Sequence, residues 1–335
     1  MDAGGRLWIG GREGVNCRYQ GRFGAPHGMQ GQLAGVRAIT CCDDGQVWFG
    51  TEHGLRQTQR PHSHPDWAHI STRDGLVNNQ IRSIVQDSAA NFWVGTSGGI
   101  SQYSRTFTSL TTAHGLVHDD VRAVIHCGDG ILWLGTGAGL SRYDGLAFAN
   151  FTTAEGLVGD RVHGLLQDRD GSLWIGTDCG LSQYDGHSFT NYTTDDGLPD
   201  RAIYDLMQAR DGSLWLATDR GVSRFDGQGF TTLTTDDGLI CNDVSQVIQD
   251  DAGTYWIATE GGISRYDGEA FTSFTVDEGL ISNKVDAIMQ DRDGRIWIPA
   301  LGGVSIYADG VFTHLTVADG LASDVHFFRE FGLRQ

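Results

Sequence analysis

Seven short polar side chains, Asn79, Asp119, Asp160, Asp200, Asn242, Asn283 and Asp324, recur at intervals of 40 to 42 residues, each just ahead of a short apolar run. Carboxylates and carboxamides at matched positions can hold sugar hydroxyls or a cation if they converge. They can equally bond nearby backbone and cap a strand. A few residues further on, one position reads Arg37, Arg82, Arg122, His163, Tyr204, Ser245, Asp286 and His326. Three arginines followed by neutral and acidic groups would make one arc cationic, which suits an anionic or oligosaccharide ligand held asymmetrically. Paired with the Asp/Asn series, the same arginines would instead form salt bridges between neighbouring units. The residue before a recurrent Gly-Leu pair, Asp74, His114, Glu155, Asp196, Asp237, Glu278 and Asp319, is either an acidic collar or a turn signature copied by duplication.

None of these sets is a catalytic motif, and no P-loop, G-x-S-x-G or zinc-protease helix occurs. His62 and His64 have metal-like spacing, but a His-x-His in a loop is a weak ligand set. "DRDG" at 168–171 and 291–294 lacks the remaining ligands of a calcium loop and reads as a turn. No metal and no cofactor are expected.

The elements that position these residues are written in tryptophan. Trp8, Trp48, Trp93, Trp133, Trp174, Trp215, Trp256 and Trp297 follow one another at 40 to 45 residues, and only Trp67 lies outside the series. A period near 40 marks an array of one supersecondary unit. In the unit from residue 203, "IYDLMQ", "SLWLAT", "VSRF" and "FTTLT" read as four strands separated by Gly-containing turns, with "TDDGL" as the exit loop. Such meanders array into a β-propeller. The chain starts with a second strand, "GGRLWIG", and ends with "SDVHFFRE" at 323–330, which reads as a first strand. Joining the two predicts an all-β fold, a single β-propeller domain over 1–335, with eight blades and the segment 323–335 closing the first blade. Seven blades with one unpaired unit is the alternative.

Composition bounds the function. The 24 Lys+Arg against 42 Asp+Glu leave a formal charge of -18, which excludes the clustered basic surface that nucleic acid requires. No apolar run has membrane-spanning length, and the N-terminus shows no signal-peptide pattern. Cys17, Cys41, Cys42, Cys127, Cys179 and Cys241 lack metal or disulfide-scaffold spacing and read as free thiols. The charge favours a monomer.

The repeated wording "DG-x-LW-I-GT-x-x-GLS-x-YDG-x-x-F-x-x-Y-x-T-x-DGL" resembles the two-component regulator propeller repeat, the sensor-domain repeat of bacterial hybrid histidine kinases. The resemblance covers essentially the whole chain and is closest over 130–290. It implies an extracytoplasmic, periplasmic input domain, often sensing glycans or their fragments. The expected function is a non-enzymatic ligand-binding or sensor module taking a small molecule or glycan at the channel mouth, with an amplified free-standing repeat protein as a variant. The ligand-binding candidates are Arg82, Arg122, His163, Tyr204 and the Asp/Asn series. Two other classes stay open: a propeller lyase or lactonase using His118, His163, His326, Glu155 and Asp160, and a protein-interaction scaffold.

Overall fold

In the computed structural model, residues 7–10, 15–19, 22–24, 35–42, 46–58, 67–319 and 321 are described. Each sequence unit makes one antiparallel sheet whose strands pair in chain order. In the unit of Trp256 the strands are Val244–Gln249, Tyr255–Thr259, Gly262–Tyr266 and Phe271–Phe274. Seven such four-stranded blades follow: I (36–70), II (81–110), III (121–151), IV (162–192), V (205–233), VI (244–274) and VII (289–315).

The fold is thus an all-β propeller type with four-stranded blades, and the expectation of eight blades is corrected to seven. Among the described residues, the unit of Trp8 forms a three-stranded sheet, Leu7–Gly10, Val15–Tyr19 and Arg22–Gly24. Counting tryptophans counts second strands, whereas a blade needs a complete hydrogen-bonded set of four. The strand expected to complete that sheet, at 323–330, lies outside the described residues.

By contact density the chain divides into two compact units, 1–150 with 315–335, and 151–314. The first holds the three-stranded sheet and blades I to III, apart from the last residue of III. The second holds blades IV to VII up to His314. Among the described residues, no helix is long and apolar enough to cross a membrane.

The core lies between blades. Trp215 of blade V packs with Ala217, Val222, Leu239, Val244, Val247, Tyr255 and Ile257, most of them from blade VI or the loop before it. Its ring stacks on Tyr255 with centroids 4.1 Å apart. Burying an indole removes ~150–250 Å² from water, a gross gain of about 4–6 kcal/mol. One such wedge per blade explains the tryptophan period.

The turns follow the residues. At the hairpin between third and outer strands, Asp226 Oδ1 accepts the N–H groups of Gln228 and Gly229 at 2.9 and 3.0 Å, and Gly227 takes φ +90. At the second-to-third turn, a Cβ on Gly262 would sit 2.4 Å from Phe274 O, so only glycine fits. The exit loop holds a short 3₁₀ turn that the strand pattern did not foresee. In blade V this is Thr235–Asp237, with Thr234 and Asp237 forming a capping box and Gly238 closing it in the left-handed region. On the opposite side of the blades, Gln249 Nε2 donates to Gly253 O at 3.0 Å, and its Oε1 accepts Arg210 N–H of blade V at 2.8 Å. Gln208 and Gln290 repeat that link to their preceding blades.

Candidate ligand-binding face

One end of blades I, II, III, IV and VI carries the second-to-third turn beside the residue that precedes the first strand. Backbone bonds seat them together: Glu52 N–H to Gly35 O at 3.2 Å, Ser97 to Gln80 at 3.1 Å, Gly137 to Asp120 at 2.9 Å, Asp178 to Arg161 at 3.2 Å and Glu260 to Asp243 at 3.1 Å. The residues that vary most between repeats gather at this end. Those that repeat are spent on architecture.

The acidic series before Gly-Leu is architectural. Asp74, Glu155, Asp196, Asp237, Glu278 and Asp319 each accept the backbone N–H three residues earlier, and His114 Nδ1 does the same for Thr111. Bonds from the Thr152 and Thr275 hydroxyls and then their backbone N–H groups hold the Glu155 and Glu278 carboxyls below the usual carboxylate range, and the Ser71 backbone and then its hydroxyl do the same for Asp74. The Asp/Asn series is tied to the same turn. Asn79, Asp119, Asp160, Asn242 and Asn283 accept the N–H of the residue seven positions earlier, at 2.7–2.8 Å.

Asp200 does not share that place. "LPDRAIY" sets it one residue earlier than its counterparts, so Arg201 occupies the capping position. Asp200 accepts Arg201 N–H and faces the turn, pairing with Arg220 Nε at 3.2 Å. Asp324 and His326 lie outside the described residues, as do His62 and His64.

In the first unit, the arginines meet carboxylates. Arg37 pairs with Glu52 at 2.6 Å. Arg82 of blade II and Arg122 of blade III converge on Asp120, with Nε to Oδ distances of 2.8 and 3.0 Å. Two guanidiniums on one carboxylate leave a surplus positive charge, and the arginine side chains are still 35% and 22% exposed.

In the second unit, Tyr204 Oη donates to Asp219 Oδ2 at 2.7 Å. That bond, with burial and nearby carboxylates, pushes the phenol up to about 12. His163 lies beside it, ring centroids 5.9 Å apart. In the next blade, burial, followed by Asp219 and Glu260, raises the Asp243 carboxyl, while Lys284 opposes the rise. Lys284 is ion-paired with Glu260, which holds its ammonium above the usual lysine range.

Sequence reasoning passed over Asp120, Asp243 and Lys284 and read the varying second-to-third turns, Asp219 among them, mostly as solvated turns. For the first three a signal existed: the position directly before the first strand reads Gly35, Gln80, Asp120, Arg161, Ala202, Asp243 and Lys284, a highly variable column of the repeat. Among the described residues, no group of three or more His, Cys, Asp or Glu is arranged to hold a metal ion.

Four segments, 75–98, 156–179, 197–220 and 279–298, match the two component regulator propeller family model. No curated protein sequence matches. A similar solved structure, assigned as the extracellular domain of a hybrid two component system from B. thetaiotaomicron, superposes with TM-score 0.58 at 20% identity over 92% of this chain. This chain spans only 50% of that domain. PorZ, a surface component of the type-IX secretion system of Porphyromonas gingivalis, gives TM-score 0.58 at 15% identity, covering 96% of this chain and 54% of its own. Virginiamycin B lyase from Staphylococcus aureus gives 0.59 at 13% identity, covering 79% and 91%. At these identities the likeness is one of fold.

Proposed function

We propose that this chain, four segments of which match the two component regulator propeller family model, is a ligand-binding input module of the sensor type. It binds a small molecule or glycan at the blade end that carries the variable residues. The observation that carries this reading is the segregation of the repeat: shared polar residues cap turns, whereas unshared ones collect at one end of the blades. The Arg82–Asp120–Arg122 set is suited to an anionic group, because its surplus charge is held on two blades and presented to solvent. The His163, Tyr204 and Asp219 set offers hydroxyl-directed hydrogen bonds. Asn79, Asp119, Asp160, Asn242 and Asn283 support the loops beside these groups, and Asp200 stands at the turn itself. The similarity to an extracellular domain of a hybrid two component system supports the sensor reading and an extracytoplasmic location.

The test is thermal melting of the full chain against neutral and acidic oligosaccharides and their monosaccharides. One class should raise Tm, since a ligand at 100 times its Kd adds about 2.7 kcal/mol. Arg82→Gln with Arg122→Gln should abolish the shift produced by an acidic member. A flat response across the panel, or an unchanged shift in the double variant, overturns the reading.

A further inference from the structure

Blade V departs from its neighbours at its first strand in several independent ways. The strand is Asp205–Gln208, four residues, against the six of Val162–Gln167 and Val244–Gln249. None of its four residues is fully buried, whereas blade IV buries Val162, Gly164, Leu165 and Leu166. Just before it, Ile203 N–H bonds Thr177 O of blade IV at 3.0 Å rather than its own sheet.

Three bonds that secure the first strands of blades VI and VII are also missing. Asp168 and Asp250 each accept a tryptophan indole N–H at 2.8 Å, but Ala209 stands at that position in blade V, and Trp215 Nε1 is buried without an acceptor in hydrogen-bond geometry. Asp205 Oδ2 reaches Val247 N–H at 3.5 Å and Gln246 Oε1 reaches Ile288 N–H at 2.8 Å, linking one first strand to the next. The corresponding residue ahead of Leu206 is Gly164, which has no side chain to extend. Finally, Arg201 occupies the place from which Asp160 and Asn242 cap their turns.

We propose that the segment 199–208 opens locally before the rest of the second unit, and is the conformationally responsive wall of that unit's variable face. Opening separates Tyr204 from Asp219 and Ile203 from Thr177. It also shifts Asp200 against Arg220. Local unfolding free energies differ between segments according to such bonds and burial. This property belongs to the ligand-free protein and stands independently of ligand binding.

Blade VII supplies the internal control. Its first strand is only Met289–Gln290, yet it keeps the Asn283 cap, the Gln246 link and the bond from Trp297 to Asp291 at 2.8 Å. If missing bonds matter more than strand length, blade V must open first.

Hydrogen–deuterium exchange of the full ligand-free chain decides this. Amides 205–208 should exchange about tenfold or more faster than 164–167 and 246–249, and faster than 289–290. Ala209→Asp, and separately Arg201→Asn, should slow them severalfold. Equal protection in blades IV, V and VI overturns the proposal, as does faster exchange in blade VII than in blade V, because strand length alone would then govern. The wild-type comparison holds even if one variant fails to fold.

Discussion

Blades V and VI are adjacent copies of one repeat, and one of their differences is where each puts a carboxylate. In blade VI, Asp250 is buried beneath the first turn, where Oδ1 accepts Thr254 N–H at 2.8 Å and Oδ2 accepts the Trp256 indole at 2.8 Å. In blade V, Ala209 occupies that position and the turn is braced from outside. Asp211 accepts Ser213 N–H at 3.0 Å and Ser213 Oγ at 2.6 Å, and pairs with Arg224 at 2.9 Å. The Tyr255 phenol feels the Trp215 N–H only as a minor influence, after burial and Asp211. An external brace restores the turn but leaves the Trp215 N–H without a carboxylate acceptor. The repeat therefore tolerates loss of a buried bond where stacking on Tyr255 still anchors the ring.

Asp250→Ala should bring blade VI down to the state of blade V and below it, since it orphans both Thr254 N–H and Trp256 Nε1 with no external carboxylate in place. The expected loss is about 2–4 kcal/mol in denaturant unfolding. A loss under about 0.5 kcal/mol would mean that ordered water replaces the carboxylate without cost.

The converse change, Ala209→Asp, should stabilise by about 1 kcal/mol at neutral pH. Its pH dependence sharpens the comparison. Burial raises the Asp87 and Asp291 carboxyls, but bonds from the tryptophan, the turn and, for Asp291, Arg295 outweigh it and leave both below the usual range. A carboxyl lowered on folding contributes stability that is present above its unfolded pKa and is lost as pH falls through the folded one. The gain from Ala209→Asp should therefore persist above about pH 4 and fade below it. A gain that is constant to acid would point to packing rather than to the charged acceptor.

The smallest effect tests the link between the two blades. Gln249→Ala removes the acceptor for Arg210 N–H and the donor to Gly253 O, at a partly exposed site, and should cost about 0.5–1 kcal/mol. If blade V is the labile one, its first-strand amides should lose more protection in this variant than those of blade VI.

Much of this molecule was legible in its residues. The tryptophan period, the Asp-Gly hairpins and the alternation of short apolar runs with Gly turns identify four-stranded blades, because strand length, turn chemistry and burial are local properties. Even the Asp-to-Ala change six residues before Trp215 is visible once units are aligned. The exit-loop 3₁₀ turn was not foreseen, although Thr234 and Asp237 are spaced as a capping box. "TTDDGL" satisfies a capped turn and an open loop equally well until backbone geometry is known.

Blade number and the roles of the polar series belong to the tertiary level. Eight tryptophan strands suggested eight blades, but a blade exists only where four strands meet, and among the described residues seven sets do. Likewise, sequence alone placed Asp119, Asp160 and their counterparts at a recurring position, yet could not say whether they faced ligand or backbone. The N–H groups they accept are seven residues away along a folded loop. Arg82 on Asp120 of the next blade, and Tyr204 on Asp219 across one blade, are contacts between residues well separated in the chain. The sequence by itself determined the repeat and its turns. Packing and hydrogen bonding between strands decided which varying side chains were left to face one another.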